Sequence, residues 1–448
     1  MKRNFSKSLL VGASLLCLST EVIALPLNED LAHAYNNNPT LKAEIENLKS
    51  TNESLPQAYS GWLPNVSASY SIGKEKEKLN DSTGRSQPNS RNLTISQPIF
   101  NGGQTVASIK KAREGVKAGQ ARLHDAEQRV LLSAIQAYIN VVHAREVVSL
   151  SKHNEKVLGE QLESTETRFQ LGETTRTDVA QSKSRLAVGT SDRIRAEGNL
   201  IASEAEYESI FLKKPDSDMS IPENLPEIPS KFRESLDLAL DNNPSLIFAQ
   251  HNRNISESNI DISISKLLPS VTLNGEVARS GNGGLSSAER LENETISLNV
   301  RVPLYQSGAE YSSVRQAKYQ SENSRYNYEI QKNKVTNILT NAWKDVTTSR
   351  ANIKATFASA EAAKIALEGV KQEQEIGSRT TLDVLDAEQE QFIANVNYIT
   401  ARKDEVVAVY SLLSAIGELT AKDLNLNTKY YNPKKDYNNT KFKFFGIN

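Results

Sequence analysis

The sequence predicts a mainly α-helical chain with a small β part, made by using one motif twice. Three observations predict it. Landmarks recur at one spacing. Asn37-Asn38-Pro39 returns as Asn242-Asn243-Pro244, Leu63-Pro64 as Leu268-Pro269, and Gln97-Pro98-Ile99-Phe100 as Val302-Pro303-Leu304-Tyr305. Gly103, Tyr138, Gly172 and Asp178 return as Gly308, Trp343, Gly377 and Asp383, and every displacement is 205 positions. A period held over most of a chain marks a duplicated structural unit. Residues 102–171 and 307–376 contain no proline, which permits helices of unusual length. Four short segments alternate apolar and polar residues, the period of a strand with one apolar face.

Residues 1–24 read as a secretory signal: Lys2, Arg3 and Lys7 lead into an apolar stretch from Ser8 to Leu18, and Val22-Ile23-Ala24 precede a cleavage point. Its loss removes Cys17, the one cysteine, so neither disulfides nor thiol chemistry are expected afterwards. Leu16 before Cys17 is too large for a lipoprotein cleavage site. The signal carries Lys2, Arg3, Lys7 and Glu21, so removing it from a chain of net charge −1 leaves about −3, a balance that argues against nucleic acid.

The first repeat is expected over 25–214 and the second over 231–421, joined by a proline-marked linker at 215–230 with Pro215, Pro222, Pro226 and Pro229. Residues 27–60 read as a helix broken near Asn38-Pro39. Val66, Ala68, Tyr70 and Ile72 then alternate with serines. A long polar loop from Gly73 to Arg91 leads to a second strand through Leu93, Ile95 and Gln97. The second repeat supplies Val271, Leu273 and Val277, a hairpin tip at Gly281-Asn282-Gly283-Gly284, and Ile296, Leu298, Val300 and Val302. Each proline-free stretch would extend on the order of 100 Å as a helix. Ala126, Val130, Ala134, Ala137, Val141, Ala144 and Val148 form one coiled-coil-like seam, and Leu131, Ile135, Tyr138 and Val142 a second. Two seams require neighbours on two sides. Helices over 174–212 and 379–417 run back, and the tail at 422–448, rich in Asn, Lys and Tyr, is expected to be irregular or partly disordered.

The junctions of out-going and returning helices are Gly172-Glu173-Thr174-Thr175-Arg176-Thr177-Asp178 and Gly377-Ser378-Arg379-Thr380-Thr381-Leu382-Asp383. Glycine supplies the positive φ past a helix end, and Thr-x-x-Asp is a capping box. Asp178 and Asp383 therefore read as helix caps. Asp386, a turn further in, has no cap to make, and the first copy carries Gln181 there.

After the signal no apolar run reaches membrane-spanning length, the longest being Val406 to Ile416. The one-sidedly apolar strands suit an outer-membrane barrel, with lipid on one face and water on the other. The same alternation suits a small soluble sheet on helices; the signal and the lack of membrane helices favour the barrel. Four strands cannot close one, so it would be shared, with eight strands from two chains or twelve from three. The histidines His33, His124, His143, His153 and His251 show no metal-binding spacing, and no cofactor, metal site or catalytic residue is expected.

From about Leu27 to Leu426 this plan resembles the TolC-type outer-membrane efflux proteins. The marks are the paired Asn-Asn-Pro, the Leu-Pro entries, the Pro-Ile-Phe-Asn-Gly-Gly and Pro-Leu-Tyr-Gln-Ser-Gly exits, and the Gly-Ser-Arg-Thr-Thr-Leu-Asp-Val-Leu-Asp-Ala-Glu-Gln turn. The resemblance implies a homotrimer with a twelve-stranded barrel in outer-membrane lipid, continuing into a twelve-helix tunnel across the periplasm. It implies a passive exit duct for efflux or type I secretion, with pore activity and no enzyme activity. A periplasmic adaptor and an inner-membrane pump would be its partners. It also implies that Asp383 and Asp386 ring the periplasmic aperture, and that Arg379, Thr177 and Asp178 tie neighbouring helix pairs shut. The family's best-known example has a tyrosine where this chain has Gln374, and Arg176 is the candidate substitute for that link. The competing reading is a structural or adhesive coiled-coil envelope protein without a pore. That reading would call for continuous heptads and no paired turns.

Overall fold

The structure is a computed structural model that describes residues 26–79, 82–222, 224–281 and 290–446. The proposed signal peptide and most of the Gly281–Gly284 hairpin tip lie outside the described residues.

The chain starts with α1 (Pro26–Asn37), α2 (Pro39–Asn52) and α3 (Ser54–Tyr59). Proline at the first position of α2 needs no hydrogen-bond donor there, and Asn38 caps it by accepting from Thr40 N–H at 2.9 Å. Strand β1 (Asn65–Ile72) leads out. Glu75–Leu79 (β2) and Ser82–Ser86 (β3) pair as a separate two-stranded ribbon, and β4 (Asn89–Asn101) leads back. The polar segment expected to be a loop thus contains a second hairpin. Its Glu and Lys run has no apolar face, so pattern could not reveal it.

Helix α4 (Gln104–Gln170) spans 67 residues and α5 (Arg176–Phe211) returns. The second repeat follows the same order. It comprises α6 (Phe232–Asn242), α7 (Pro244–Ser265), β5 (Ser270–Gly281), β6 (Arg290–Arg301), the 67-residue α8 (Ala309–Glu375) and α9 (Thr381–Ile416). A last helix, α10 (Pro433–Thr440), follows. No described helix is long and apolar enough to cross a membrane.

The main sheet is antiparallel in the order β1-β4-β5-β6. Rows of directly opposed residues fix its faces. Val66, Ile95, Gly275 and Ile296 form one row, and Ala68, Leu93, Val277 and Glu294 the next. The other face carries Ser67, Thr94, Glu276 and Thr295 in register. A bulge between Pro98 and Phe100 absorbs the missing proline donor. The outer edges of β1 and β6 have no partner strand among the described residues.

The largest core lies midway along the long helices. Leu131, Ile135, Tyr138 and Ile139 of α4 meet Leu31, Tyr207, Phe211, Leu339, Val409, Leu412 and Ile416 there. Both seams of α4 are buried throughout. Asp30 sits in this core, where it accepts from Tyr207 Oη at 2.6 Å and pairs with Lys213 Nζ at 2.6 Å. The recurring Asn-Asn-Pro serves it twice. Asn38 donates to Ile210 O at 3.3 Å and Asn243 to Ala415 O at 3.0 Å, each closing the end of a return helix. Gly417, at φ 89°, packs so close that a Cβ would stand 2.5 Å from Asn242 O.

The tail is irregular apart from α10, but it is packed against the body. Leu426 is buried, Tyr431 N–H donates to Tyr35 Oη at 3.2 Å, and Phe442 lies 5.5 Å from Tyr59, ring to ring. Its aromatic side chains find grooves beside α1–α3, which composition alone does not reveal.

Candidate functional site

The two α-helical hairpins end in turns with the same backbone. Gly172 has φ 80° and Gly377 φ 82°. Glu173 N–H donates to Arg168 O at 2.9 Å, and Ser378 N–H to Glu373 O at 2.9 Å, so each outgoing helix ends by the same return bond. Both capping boxes form. Thr175 Oγ1 accepts from Asp178 N–H at 3.2 Å, and Asp178 Oδ2 accepts from Thr175 N–H at 2.9 Å. In the second turn Thr380 Oγ1 accepts from Asp383 N–H at 3.2 Å, and Asp383 Oδ2 accepts from Thr380 N–H at 2.8 Å.

These bonds set the electrostatics. Hydroxyl donation from Thr174 and Thr175, followed by the Thr175 amide, holds the Asp178 carboxyl below its usual range. The Thr380 amide and then its hydroxyl do the same for Asp383.

The remaining predicted residues divide. Arg379 Nε donates to Glu373 Oε2 at 2.7 Å, inside its own turn, and does not bond Thr177 or Asp178 of the same chain. Gln374 Nε2 lies 3.5 Å from Thr381 Oγ1, also within the turn. Among the described residues the exposed side chains of Arg176 and Thr177 make no hydrogen bond or ion pair. Asp386 is exposed, and Arg185 Nη2 on α5 donates to its Oδ1. This pair joins the two hairpins near their tips.

Arg185 escaped the sequence reading, as did Lys371 and Glu388. Lys371 Nζ on α8 lies 3.1 Å from Glu388 Oε1 on α9. Glu388 is 4% exposed, its Oε2 has no hydrogen-bond partner among the described residues, and burial pushes its carboxyl up against the opposing pull of Lys371. The repeat held a signal for all three. At the period of 205, Arg185 aligns with Glu390, while Lys371 and Glu388 align with Glu166 and Lys183, each with its sign reversed. Positions where duplicated halves exchange charge mark contacts that distinguish the halves.

Two of the histidines are held by side chains of other helices. His251 Nδ1 lies 2.8 Å from Glu114 Oε2, and His143 Nε2 3.1 Å from Thr400 Oγ1. No group of three or more His, Cys, Asp or Glu among the described residues could hold a metal ion.

The hairpin tips combine rigid caps, an exposed carboxylate, a cation joining two hairpins, and basic and hydroxyl side chains without a bond among the described residues. They offer no nucleophile beside a base.

The family model described as outer membrane efflux protein matches residues 31–209 and 235–418. The chain is 29% identical over 421 residues to the outer membrane efflux protein BepC of Brucella suis, covering 93% of this chain and 91% of that protein. It is 23% identical over 434 residues to the alkaline protease secretion protein AprF of Pseudomonas aeruginosa, covering 93% and 89%. The crystal structure of the Campylobacter jejuni CmeC outer membrane channel superposes with TM-score 0.79 at 19% identity, covering 93% of this chain and 89% of that one.

Proposed function

The chain belongs to the outer membrane efflux protein family, and we propose that three copies form one duct receiving cargo from an inner-membrane pump through a periplasmic adaptor. The protein is an outer-membrane channel for efflux or secretion, with a strand region in the membrane and a helical body in the periplasm. The observation that carries the assembly is the open sheet, whose β1 and β6 edges are unpaired among the described residues. In a bilayer every backbone polar group must find a partner, so these edges require neighbouring copies. Three copies give twelve strands. The large apolar side chains exposed on α8, among them Ile338, Phe357 and Ile365, support the same arrangement. Sedimentation of the detergent-solubilised protein tests it: three chain masses are expected, and a soluble monomer released without detergent overturns it.

The tips form the gate in this reading. Asp383 and Asp386 from three chains line the periplasmic aperture and favour cations. Asp178, Thr177, Arg379, Gln374 and Arg176 supply contacts between neighbouring hairpins. Within each chain Arg185 holds Asp386, so opening the aperture means breaking that pair. Arg379→Ser raises single-channel conductance in planar bilayers if Arg379 ties hairpins together. Unchanged conductance with lower thermal stability assigns it to the turn alone, through Glu373.

A further inference from the structure

We propose that the outward face of the sheet carries a binding site for the phosphate groups of an acidic glycolipid in the outer leaflet, built from Arg91, Arg279 and Tyr70. The proposal rests on the reading of the sheet as part of an outer-membrane barrel.

The face is set by register. Val66, Ala68, Leu93, Ile95, Leu273, Val277, Ile296 and Leu298 all project from one side, with Gln97 and Glu294 among them, against Ser, Thr, Asn and Glu276 on the other. The apolar side is the lipid side. Its outer end is the end remote from Asn65 and Asn101, where the helical body attaches. The next row outward from Leu93 and Val277 is Tyr70, Arg91, Arg279 and Glu292, four residues directly opposed across β1, β4, β5 and β6.

The depth of this row follows from strand geometry. Phe100, on the same face, marks the lower edge of the apolar band. Nine residues up β4 to Arg91 cover about 30 Å along the strand, or about 23 Å along the membrane normal for a tilt of about 40°. An outward apolar band is about 25 Å tall and is edged by aromatic residues at both interfaces. Tyr70 is such an edge residue, 60% exposed. Arg91 and Arg279 therefore lie at headgroup level.

Their charge is incompletely met. Two like charges directly opposed across a strand pair repel. Arg279 Nε lies 3.3 Å from Glu292 Oε1, but that oxygen is shared with Arg290 Nη2 at 3.1 Å. Arg91 stacks over the Tyr70 ring at 5.7 Å and has no carboxylate partner among the described residues. Arg279 and Arg290 thus share the Glu292 carboxylate, and no ion pair to Arg91 forms among the described residues. A hollow of about 570 Å³ opens beside Arg91 and Arg279, with Ala68, Tyr70, Leu93 and Val277 among its lining residues. Its base is apolar and its upper rim is basic. An acyl chain fits the base, and a phosphate oxygen pair fits the guanidinium forks, which match it two bonds at a time. Zwitterionic lipid offers the chain without the net charge.

Native mass spectrometry of the full-length assembly in detergent, titrated with diphosphoryl lipid A, tests the site. Retention by the natural protein is expected to exceed that of Arg91→Gln/Arg279→Gln roughly tenfold or more, the loss of charge-assisted bonds. Phosphatidylcholine should be retained weakly and equally by both, and excess inorganic phosphate should not displace lipid A. Arg301→Gln, at the inner end of β6, should behave as the natural protein. The single variant Arg91→Gln, which relieves the repulsion, guards against a folding defect. Equal lipid A retention by natural and substituted proteins overturns the proposal. So does retention of phosphatidylcholine as strong as that of lipid A, or displacement by inorganic phosphate. Insertion into planar bilayers is scored separately: a natural protein that forms no pore refutes the barrel reading itself, whereas conducting variants with unchanged lipid retention refute only the lipid site.

Discussion

Asp383 and Asp386 stand one helical turn apart and have different tasks. Asp383 is consumed by the Thr380 cap, so its substitution alters the turn before it alters the pore. Asp386 is held by Arg185. An exposed ion pair of this kind contributes about 0.2–1 kcal/mol, which corresponds to a roughly 1.4- to fivefold change in open occupancy. Asp386→Asn and Arg185→Gln should both raise open probability in planar bilayers by about that factor for each of the three copies, and they should part in selectivity. Asp386→Asn removes a carboxylate and weakens cation preference and multivalent-cation block; Arg185→Gln frees that carboxylate and strengthens both. Gln181→Asn, at the matching position of the first repeat, should leave both unchanged. Reversal potentials in asymmetric salt measure this, and identical shifts in the two variants rule out a carboxylate ring.

Glu114 permits a pH test at the same scale. Burial acts to raise its carboxyl, but bonds from Lys117, Asn254 and His251 outweigh that and hold it at about 2 against an ordinary 4.5. A carboxyl lowered in the folded state stabilises fully above its ordinary value and loses that contribution as pH falls through the folded one. Glu114→Gln should therefore cost about 1–3 kcal/mol at neutral pH through its lost bonds to a charged group. The deficit should close between pH 4.5 and about 2. Thermal unfolding of both proteins across that range is the measurement, and a deficit independent of pH assigns the loss to packing.

Among the elements, the joints between helices carry specificity that the long helices lack. Asn243 caps α7 by accepting from Ser245 N–H at 3.1 Å and also donates to the end of α9. Removing it leaves a cap and a buried carbonyl unmet. Asn243→Ala should lower stability by about 1–2 kcal/mol, and Asn243→Ser, which restores the cap alone, by less. Urea unfolding of the detergent-solubilised protein decides it; equal losses in the two variants would show that the cap contributes nothing. The same construction at Asn38 makes the two halves independent tests of one device.

At the scale of the molecule, one chain leaves too much unsatisfied to stand alone in a membrane. Sheet edges are open at β1 and β6, and α8 shows Ile338, Phe357 and Ile365 at 46%, 50% and 69% exposure. If neighbouring copies cover that face, Ile338→Asp places a charge in a contact that excludes water. It should shift the detergent-stable assembly toward single chains, as light scattering after size-exclusion chromatography would register. An unaltered assembly mass means that this face borders the water-filled bore instead.

The duplicated plan, the long helices, the four alternating strands, the positive-φ glycines and both capping boxes were legible in the sequence. Each depends on residues close in the chain or on a period that repeats along it. Backbone sterics, capping chemistry and one-sided burial act locally, so their residues announce them. The partner of Asp386 was not legible, because Arg185 lies 201 residues away and the pair exists only where the two hairpins meet. Nor was the choice of Glu373 by Arg379, since a long flexible side chain selects among several carboxylates by distance. The packed tail belongs with these, its aromatics being held by surfaces from the other end of the chain. The row of Tyr70, Arg91, Arg279 and Glu292 was present as letters in four separate strands, and only strand register placed it at one depth on one face.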